Sequence, residues 1–573
     1  MCGIWGFVSS LDNKEYVQKM YEAAMHIQPR GPERTTIKQS SISYLVFHRL
    51  AINGLSESND QPYIYEEPEK QRKIVVMCNG EIYNFPELKQ RLQNDYPQVY
   101  DLECDTSIIY YLLKHLKYDF YKMNKQLQGE YALAVIVLDK HEKPLQLYLS
   151  TDECSVRPMF YAYDKSSKSV IFSSLLVGIT SFSNSITPMR LDGGSIKYFD
   201  LTSGAHAEKL YVDWYPKQLD SSMCLVDISS LLVRTFEGCI KRRMMSDRPI
   251  GCFLSGGLDS SLVAALVAKE LKKTGQRLHT FSIGDENSSD VINAQLVATH
   301  INSIHTHVPF QIEQGVAYLD EVIKATETFD ITTIRASVGQ YLISKYIAEN
   351  TDIKVVFSGD GADEAEMGYL YFYKAPSADA AQEESRKLLQ QIHLYDGLRV
   401  DRCVSIHGLE ARVPYLDWEF VKLLLQIPPF YKAPKLMEND KSGNNNHDSR
   451  YKCEKWLLRQ AFGWKYPHLL PSCVLWRTKE TFSDSLSTEK NSFYEAILRH
   501  VNAYTHHMCS SLVQYSHCPP TSVEGRYYRE RFHQFFGLKA ATVIPRVWMP
   551  QWVSTTDPSA RSMKEVYGKA QNV

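Results

Sequence analysis

The sequence predicts a layered α+β domain followed by a doubly wound, parallel-sheet α/β domain. Up to about residue 200, short β-branched and aromatic runs follow one another between turn residues. Beyond about residue 222 the pattern changes to apolar strands, each followed by a long helix. The length of 573 residues exceeds one compact core, and a prior of about 150 residues per domain allows roughly two to four.

In the first region the strands are "SYLVFHRLAI", "KIVVMCNGEIYN", "YALAVIVL" and "SVIFSS". In the second, "RPIGCFL" leads into "SLVAALVAKELKK", and "DIKVVFSGDG" and "YKCEKWLLRQAF" continue the alternation. The expected boundaries are 1–200 for the first domain, 201–222 for a polar linker, 223–545 for the second domain and 546–573 for a tail. "KLMENDKSGNNNHDSR", 435–450, reads as an exposed loop insertion. No internal repeat is visible.

Apolar residues make up 44% and charged residues 23%, with a formal charge of −2. That is the balance of an ordinary globular protein, without the basic excess that nucleic acid or anionic lipid calls for. Small molecules are the expected partners. The 12 cysteines form no CxxC pair and no Cys/His cluster, so neither a zinc site nor a disulfide framework is expected. No signal peptide or membrane span is apparent, and the expected location is the cytoplasm.

The chain opens "MCGIWGFVSS". With Met1 removed, Cys2 carries a thiol nucleophile and, in its own α-amine, a base of pKa about 7.7–8.0. Further along, the Asn79 amide and the Gly80 N–H could form an oxyanion hole, although Asn-Gly between apolar runs is the commonest hairpin signal and spacing alone favours a turn. Arg49 could hold a carboxylate bidentately, or be a structural charge. Asp105 could receive an ammonium, or cap the helix that follows.

"MCGIWG", "RGP", "FHRLAI", "NGEIYN" and Asp105 occur in the order found in class II glutamine amidotransferases, and the first 200 residues resemble that family. The resemblance implies an N-terminal-nucleophile αββα sandwich. Cys2 is then the nucleophile toward the glutamine side-chain amide, and Asn79 and Gly80 stabilise the oxyanion. Arg49, Asn79, Glu81 and Asp105 bind glutamine. Ser155 stands where this family has glycine, and Leu175 and Val177 stand where glutamate and lysine are common. These departures bear on ammonia transfer between domains more than on hydrolysis.

In the second domain "FLSGGLDSS" follows an apolar strand and opens a helix, the order a phosphate cradle requires. It lacks Walker A spacing, and "SGDGADEAEMG" is no dinucleotide fingerprint because Glu364 replaces the third glycine. It matches instead the pyrophosphate loop of synthetases that split ATP to AMP and pyrophosphate. Together with "ETFDITTIRASVGQYLISKYI", "SGDGADE", "GYLYFYKAP", "GLEARVPYLD", "WRTKETFSD" and "DPSAR", the whole chain resembles the glutamine-hydrolysing asparagine synthetase family.

That resemblance implies activation of the aspartate β-carboxylate as an acyl-adenylate and attack by ammonia released at Cys2. ATP and Mg²⁺ are the implied cofactors and a homodimer the implied assembly. Leu254, Ser255, Gly256, Gly257, Asp259, Ser260, Ile283, Ser358 and Gly359 would bind ATP, and Asp259 and Asp363 would ligate Mg²⁺ as hard oxygen donors. Thr333 and Arg335 would contact the intermediate, Lys479 would neutralise the adenylation transition state, and Asp360, usually glutamate, would accept the proton lost by ammonia. The competing readings are a β-lactam-synthetase-like enzyme and a degraded, non-catalytic homologue.

Overall fold

The computed structural model describes residues 1–11, 14–220, 222–434, 453–477, 492–507, 513–555 and 557–558. Two six-stranded antiparallel sheets form the first domain. Across the first sheet the strands run Met189–Arg190, Phe160–Asp164, Ser169–Ser173, Gly3–Val8, Ser43–Arg49 and Arg34–Gln39. Across the second they run His206–Leu210, Ser195–Asp200, Pro144–Thr151, Gly129–Asp139, Arg72–Ile82 and Tyr63–Glu67.

Strand alternation explains the layering. Val75, Met77, Ala134 and Ile136 pack with Ile4, Val8 and Phe47 of the other sheet. Ile74, Val76, Leu133 and Val135 turn outward, under Leu88, Ile109, Leu112 and Leu113 of the helices Phe85–Leu92 and Ile108–His115. A strand covered on both faces has no solvent side to alternate toward, which is why "YALAVIVL" is apolar throughout. On the far side the helix Val17–Met25 packs Met20, Ala23 and Ala24 in one core with Trp5.

One boundary requires correction. His206–Leu210 lies inside the expected linker, yet it pairs antiparallel with Ser195–Asp200, Ile196 opposite Lys209. It is an edge strand with all five residues exposed, so its sequence is polar for the reason edge strands are polar, and it looked like a linker.

The second domain holds a five-stranded parallel sheet, ordered Ile304–Pro309, His279–Gly284, Ile250–Phe253, Val355–Phe357 and Glu410–Arg412. The chain starts at the central strand, builds outward to one side, then crosses to build the other. Ile250–Phe253 and Val355–Phe357 are therefore neighbours at the point where the winding reverses, and their C-terminal ends open the crevice where such sheets bind ligands. The insertion 435–450 lies outside the described residues, as does Lys479.

Buried ion pairs join the domains. Arg30 meets Asp401 through two bonds of 2.8 and 3.1 Å. Glu130 accepts from Arg157, Arg243 and the Val413 N–H at 2.8, 2.8 and 3.2 Å. Glu327 accepts the N–H groups of Leu176 and Val177 at 2.9 and 2.8 Å. The segment carrying the unusual Leu175 and Val177 is thus gripped by its backbone, whatever its side chains are.

Candidate active sites

Cys2 ends up half-buried at the head of the central strand Gly3–Val8, with its thiol 3.5 Å from the Leu50 carbonyl. Met1 precedes it, buried, its amine donating to the Leu409 carbonyl at 3.0 Å. Burial pushes the Cys2 thiol above its ordinary pKa, and the adjoining amino terminus pulls it down. Arg30 fixes the nucleophile's backbone by donating to the Cys2 carbonyl at 3.0 Å.

Asn79 and Gly80 are not a turn. They lie within the strand Arg72–Ile82, paired with Ala132 and Tyr131. Gly80 takes φ +137°, and a Cβ there would fall 1.9 Å from the Glu130 carbonyl oxygen, so only glycine fits. The Asn79 side chain is 0% exposed, and neither its amide oxygen nor its nitrogen has a partner among the described residues. Buried amides are nearly always satisfied; one left open beside a candidate nucleophile is what an oxyanion site needs before substrate arrives.

Around it stand charges suited to an amino acid. Burial, joined by the Asp105 charge, raises Glu81 well above the usual carboxylate range, and Glu81 accepts from Asn53. Burial lifts Asp105 to about 6 against the pull of the Ile82 N–H, which it accepts at 2.5 Å. Two buried carboxyls held above their ordinary values are suited to a cation such as an α-ammonium. The Arg49 guanidinium is already occupied, by Ser56 and Asp60 at 2.6 Å each and by the Gly54 carbonyl. It therefore braces the loop 54–60, and would have to share its donors to take a substrate carboxylate.

The second site is an open cavity at the reversal of the parallel sheet. Leu254, Ser255, Gly257, Asp259, Ser260, Ile283, Ser358, Gly359, Asp360 and Asp363 line it. Gly256 makes the turn beneath at φ +77°, where a Cβ would lie 2.5 Å from the Ala294 nitrogen. The Ser255 hydroxyl meets that of Ser260 at 2.9 Å and accepts the Gly257 N–H at 3.3 Å, which folds the loop over the start of the helix Leu258–Lys272. Helix dipole and loop amides both favour an anion here.

The sequence reading missed Lys455. Its ammonium sits 2.5 Å from Asp259 and 2.6 Å from Asp363, with 3% of the side chain exposed. Lys455 lies 196 residues from Asp259, so no local spacing announces the contact. Arg477 closes the loop from outside, donating to the Gly256 carbonyl at 3.1 Å and pairing with Asp290 at 2.7 Å. Asp360 faces the cavity in the grip of Arg399, the Ser358 hydroxyl and Gln340, the last at 3.1 Å.

Thr333 and Arg335 are not brought to this cavity. Asp330 caps the helix Ile331–Asn350 and accepts both the N–H and the hydroxyl of Thr333, at 2.9 and 2.8 Å. Arg335 is held by Glu524 at 2.9 Å and Asp557 at 3.1 Å. Two carboxylates from far along the chain, invisible to a local motif, take the guanidinium.

Comparison with known proteins agrees with this two-site arrangement. The family described as "Glutamine amidotransferase domain" matches residues 1–209, and "Asparagine synthase" matches 232–384 and 374–555. Asparagine synthetase [glutamine-hydrolyzing] of Bos taurus is 37% identical over 98% of both chains, and that of Homo sapiens 36% over 98% of both. Glutamine phosphoribosylpyrophosphate amidotransferase from B. subtilis, a solved structure, covers 49% of this chain and 66% of its own at 14% identity and TM-score 0.30, too distant to argue from. With one-third identity along its whole length, the chain belongs to the glutamine-hydrolysing asparagine synthetase family.

Proposed function

We propose that the protein makes asparagine from aspartate, with ATP as activator and the glutamine amide as nitrogen source. The observation that carries this reading is the cavity at the sheet reversal, where two carboxylates hold a cation beside an open phosphate loop. Adenylation there gives the aspartate β-carboxylate a leaving group it otherwise lacks.

The loop amides from Ser255 to Gly257 and the N-terminus of the helix that follows bind the ATP phosphates. Leu254, Ile283, Ser358 and Gly359, which line the same cavity, complete the ATP site. The Lys455 ammonium between Asp259 and Asp363 stands in for a metal: the two aspartates offer hard oxygens already arranged around one positive charge, and so suit Mg²⁺. Bound there, Mg²⁺ would offset charge developing on the phosphates. Arg399, Ser358 and Gln340 hold Asp360 in place as acceptor of the proton that ammonia loses on attack.

At the other site Cys2, freed of Met1, attacks the glutamine amide with its own amine as base. Asn79 and Gly80 stabilise the oxyanion, and Glu81 and Asp105 receive the substrate ammonium. The cysteines are scattered through the sequence without a CxxC pair, and that usage supports a reducing, cytoplasmic setting. No helix among the described residues is long and apolar enough to cross a membrane.

The test is to incubate the chain with ATP, Mg²⁺, aspartate and glutamine and quantify products. Asparagine, glutamate, AMP and pyrophosphate in equal amounts are expected. Pyrophosphate without asparagine, or glutamate alone, would overturn the assignment.

A further inference from the structure

Glu366 is a buried acid that the reaction outlined above does not use. It is 0% exposed, and neither carboxylate oxygen has a hydrogen-bond partner among the described residues. An ionised carboxylate left so is costly, and a native fold retains one only where something compensates.

Glu366 follows the short helix Ala362–Ala365, which carries Asp363. The turn is closed by Gly368, whose N–H donates to the Asp363 carbonyl at 2.8 Å. It wraps the Lys455 side chain: a Cβ on Gly368 would fall 2.2 Å from Lys455 Cε and 2.2 Å from Asp363 Oδ1. Glu366 thus sits on the same turn that encloses Lys455. Burial raises this carboxyl to about 7 against the pull of two ammonium groups, Lys432 and Lys455, with Asp259 adding to the rise. Lys432 is itself buried and anchored, donating to the Leu424 carbonyl at 2.5 Å.

Lys455 cannot stay where it is when a metal arrives. Its ammonium occupies the space between Asp259 and Asp363, and a divalent cation bound to both would meet it at repulsive range. We infer that Glu366 is a positioning residue, the buried carboxylate that takes the Lys455 ammonium when Mg²⁺ claims Asp259 and Asp363. The displaced lysine then remains charged and close to the phosphates instead of competing for the metal site. Met367, itself buried, takes φ +54° and turns the chain left-handed directly after the buried Glu366.

The inference rests on Asp259 and Asp363 being the metal ligands, and the experiment separates the two. Mn²⁺ binding to the full chain, without nucleotide, is measured from the free-Mn²⁺ paramagnetic resonance signal. Asp259→Asn should weaken binding; a variant that binds like the parent would refute the metal reading and the exchange with it.

With that effect in hand, Glu366→Gln should weaken Mn²⁺ binding about tenfold, because Lys455 has lost its alternative partner. Glu366→Asp should restore affinity to within about threefold of the parent, and in a Lys455→Met background Glu366→Gln should change it by less than about twofold. Unchanged binding in Glu366→Gln, or an equal loss with and without Lys455, would overturn the inference. The second outcome would mean that Glu366 acts only as a distant charge.

Discussion

Single residues carry the chemistry of the first site, and Asn79 carries it most visibly. Its buried amide has no partner among the described residues, so its Nδ2 is free to meet an oxyanion without first breaking a bond. Asn79→Ala should therefore lower glutaminase kcat by roughly 10²–10³, the usual effect of removing one oxyanion donor. Synthesis from added ammonium should remain. Glutamate release and ammonium-driven asparagine formation, assayed on one preparation, check this, and equal loss of both would show a folding defect instead.

How legible such residues were depended on whether their partners are near in sequence. The nucleophile, the phosphate loop and Asp363 lie in compact motifs. Asn79 was ambiguous because a dipeptide cannot say whether its strand continues, and here eleven residues of Arg72–Ile82 run straight through it. Lys455 and the partners of Arg335 depend on contacts across some 200 residues, which no window of sequence contains.

At the scale of elements, the strand-loop-helix unit from Ile250 to Lys272 makes two adjacent glycines do different work. Gly256 is left-handed and packed against the helix Ser289–His300, whereas Gly257 has φ −75° and a Cβ there would meet only the Ser255 hydroxyl, at 3.4 Å. Gly256→Ala should cost roughly 2–4 kcal/mol from strain and clash. Gly257→Ala should unfold within about 0.5 kcal/mol of the parent yet release pyrophosphate poorly, since the methyl group stands where phosphate approaches. Urea melts paired with a pyrophosphate assay separate the two. Elements were read well where apolar period and turn residues agreed, and poorly at His206–Leu210, where an exposed edge strand carries linker-like composition.

Across the whole molecule, buried charge rather than apolar area alone fixes how the two domains sit. Asp401 receives Arg30 from the first domain and Arg402 from its own at 2.6 Å, with Arg157 at 3.6 Å. Burial alone would raise this carboxyl; the three arginines outweigh it and hold Asp401 well below the usual range. Asp401→Asn leaves those arginines uncompensated and should cost roughly 3–5 kcal/mol. It should also impair glutaminase, because Arg30 holds the Cys2 carbonyl. With the folded pKa depressed, the contribution is present above about pH 4 and shrinks as pH falls further. The stability gap between parent and variant, read from urea melts at neutral and acid pH, should narrow in acid.

The same docking places a glutaminase and an adenylating site in one body, and the central claim is that nitrogen passes from the first to the second. Glutamine labelled with ¹⁵N at the side-chain amide, supplied with aspartate, ATP, Mg²⁺ and an excess of unlabelled ammonium, tests it directly. The account predicts asparagine whose side-chain amide is enriched in ¹⁵N well beyond the label's share of the total ammonia in solution. Asparagine labelled only to that bulk share, or formed at the same rate by a Cys2→Ala variant given glutamine alone, would contradict it.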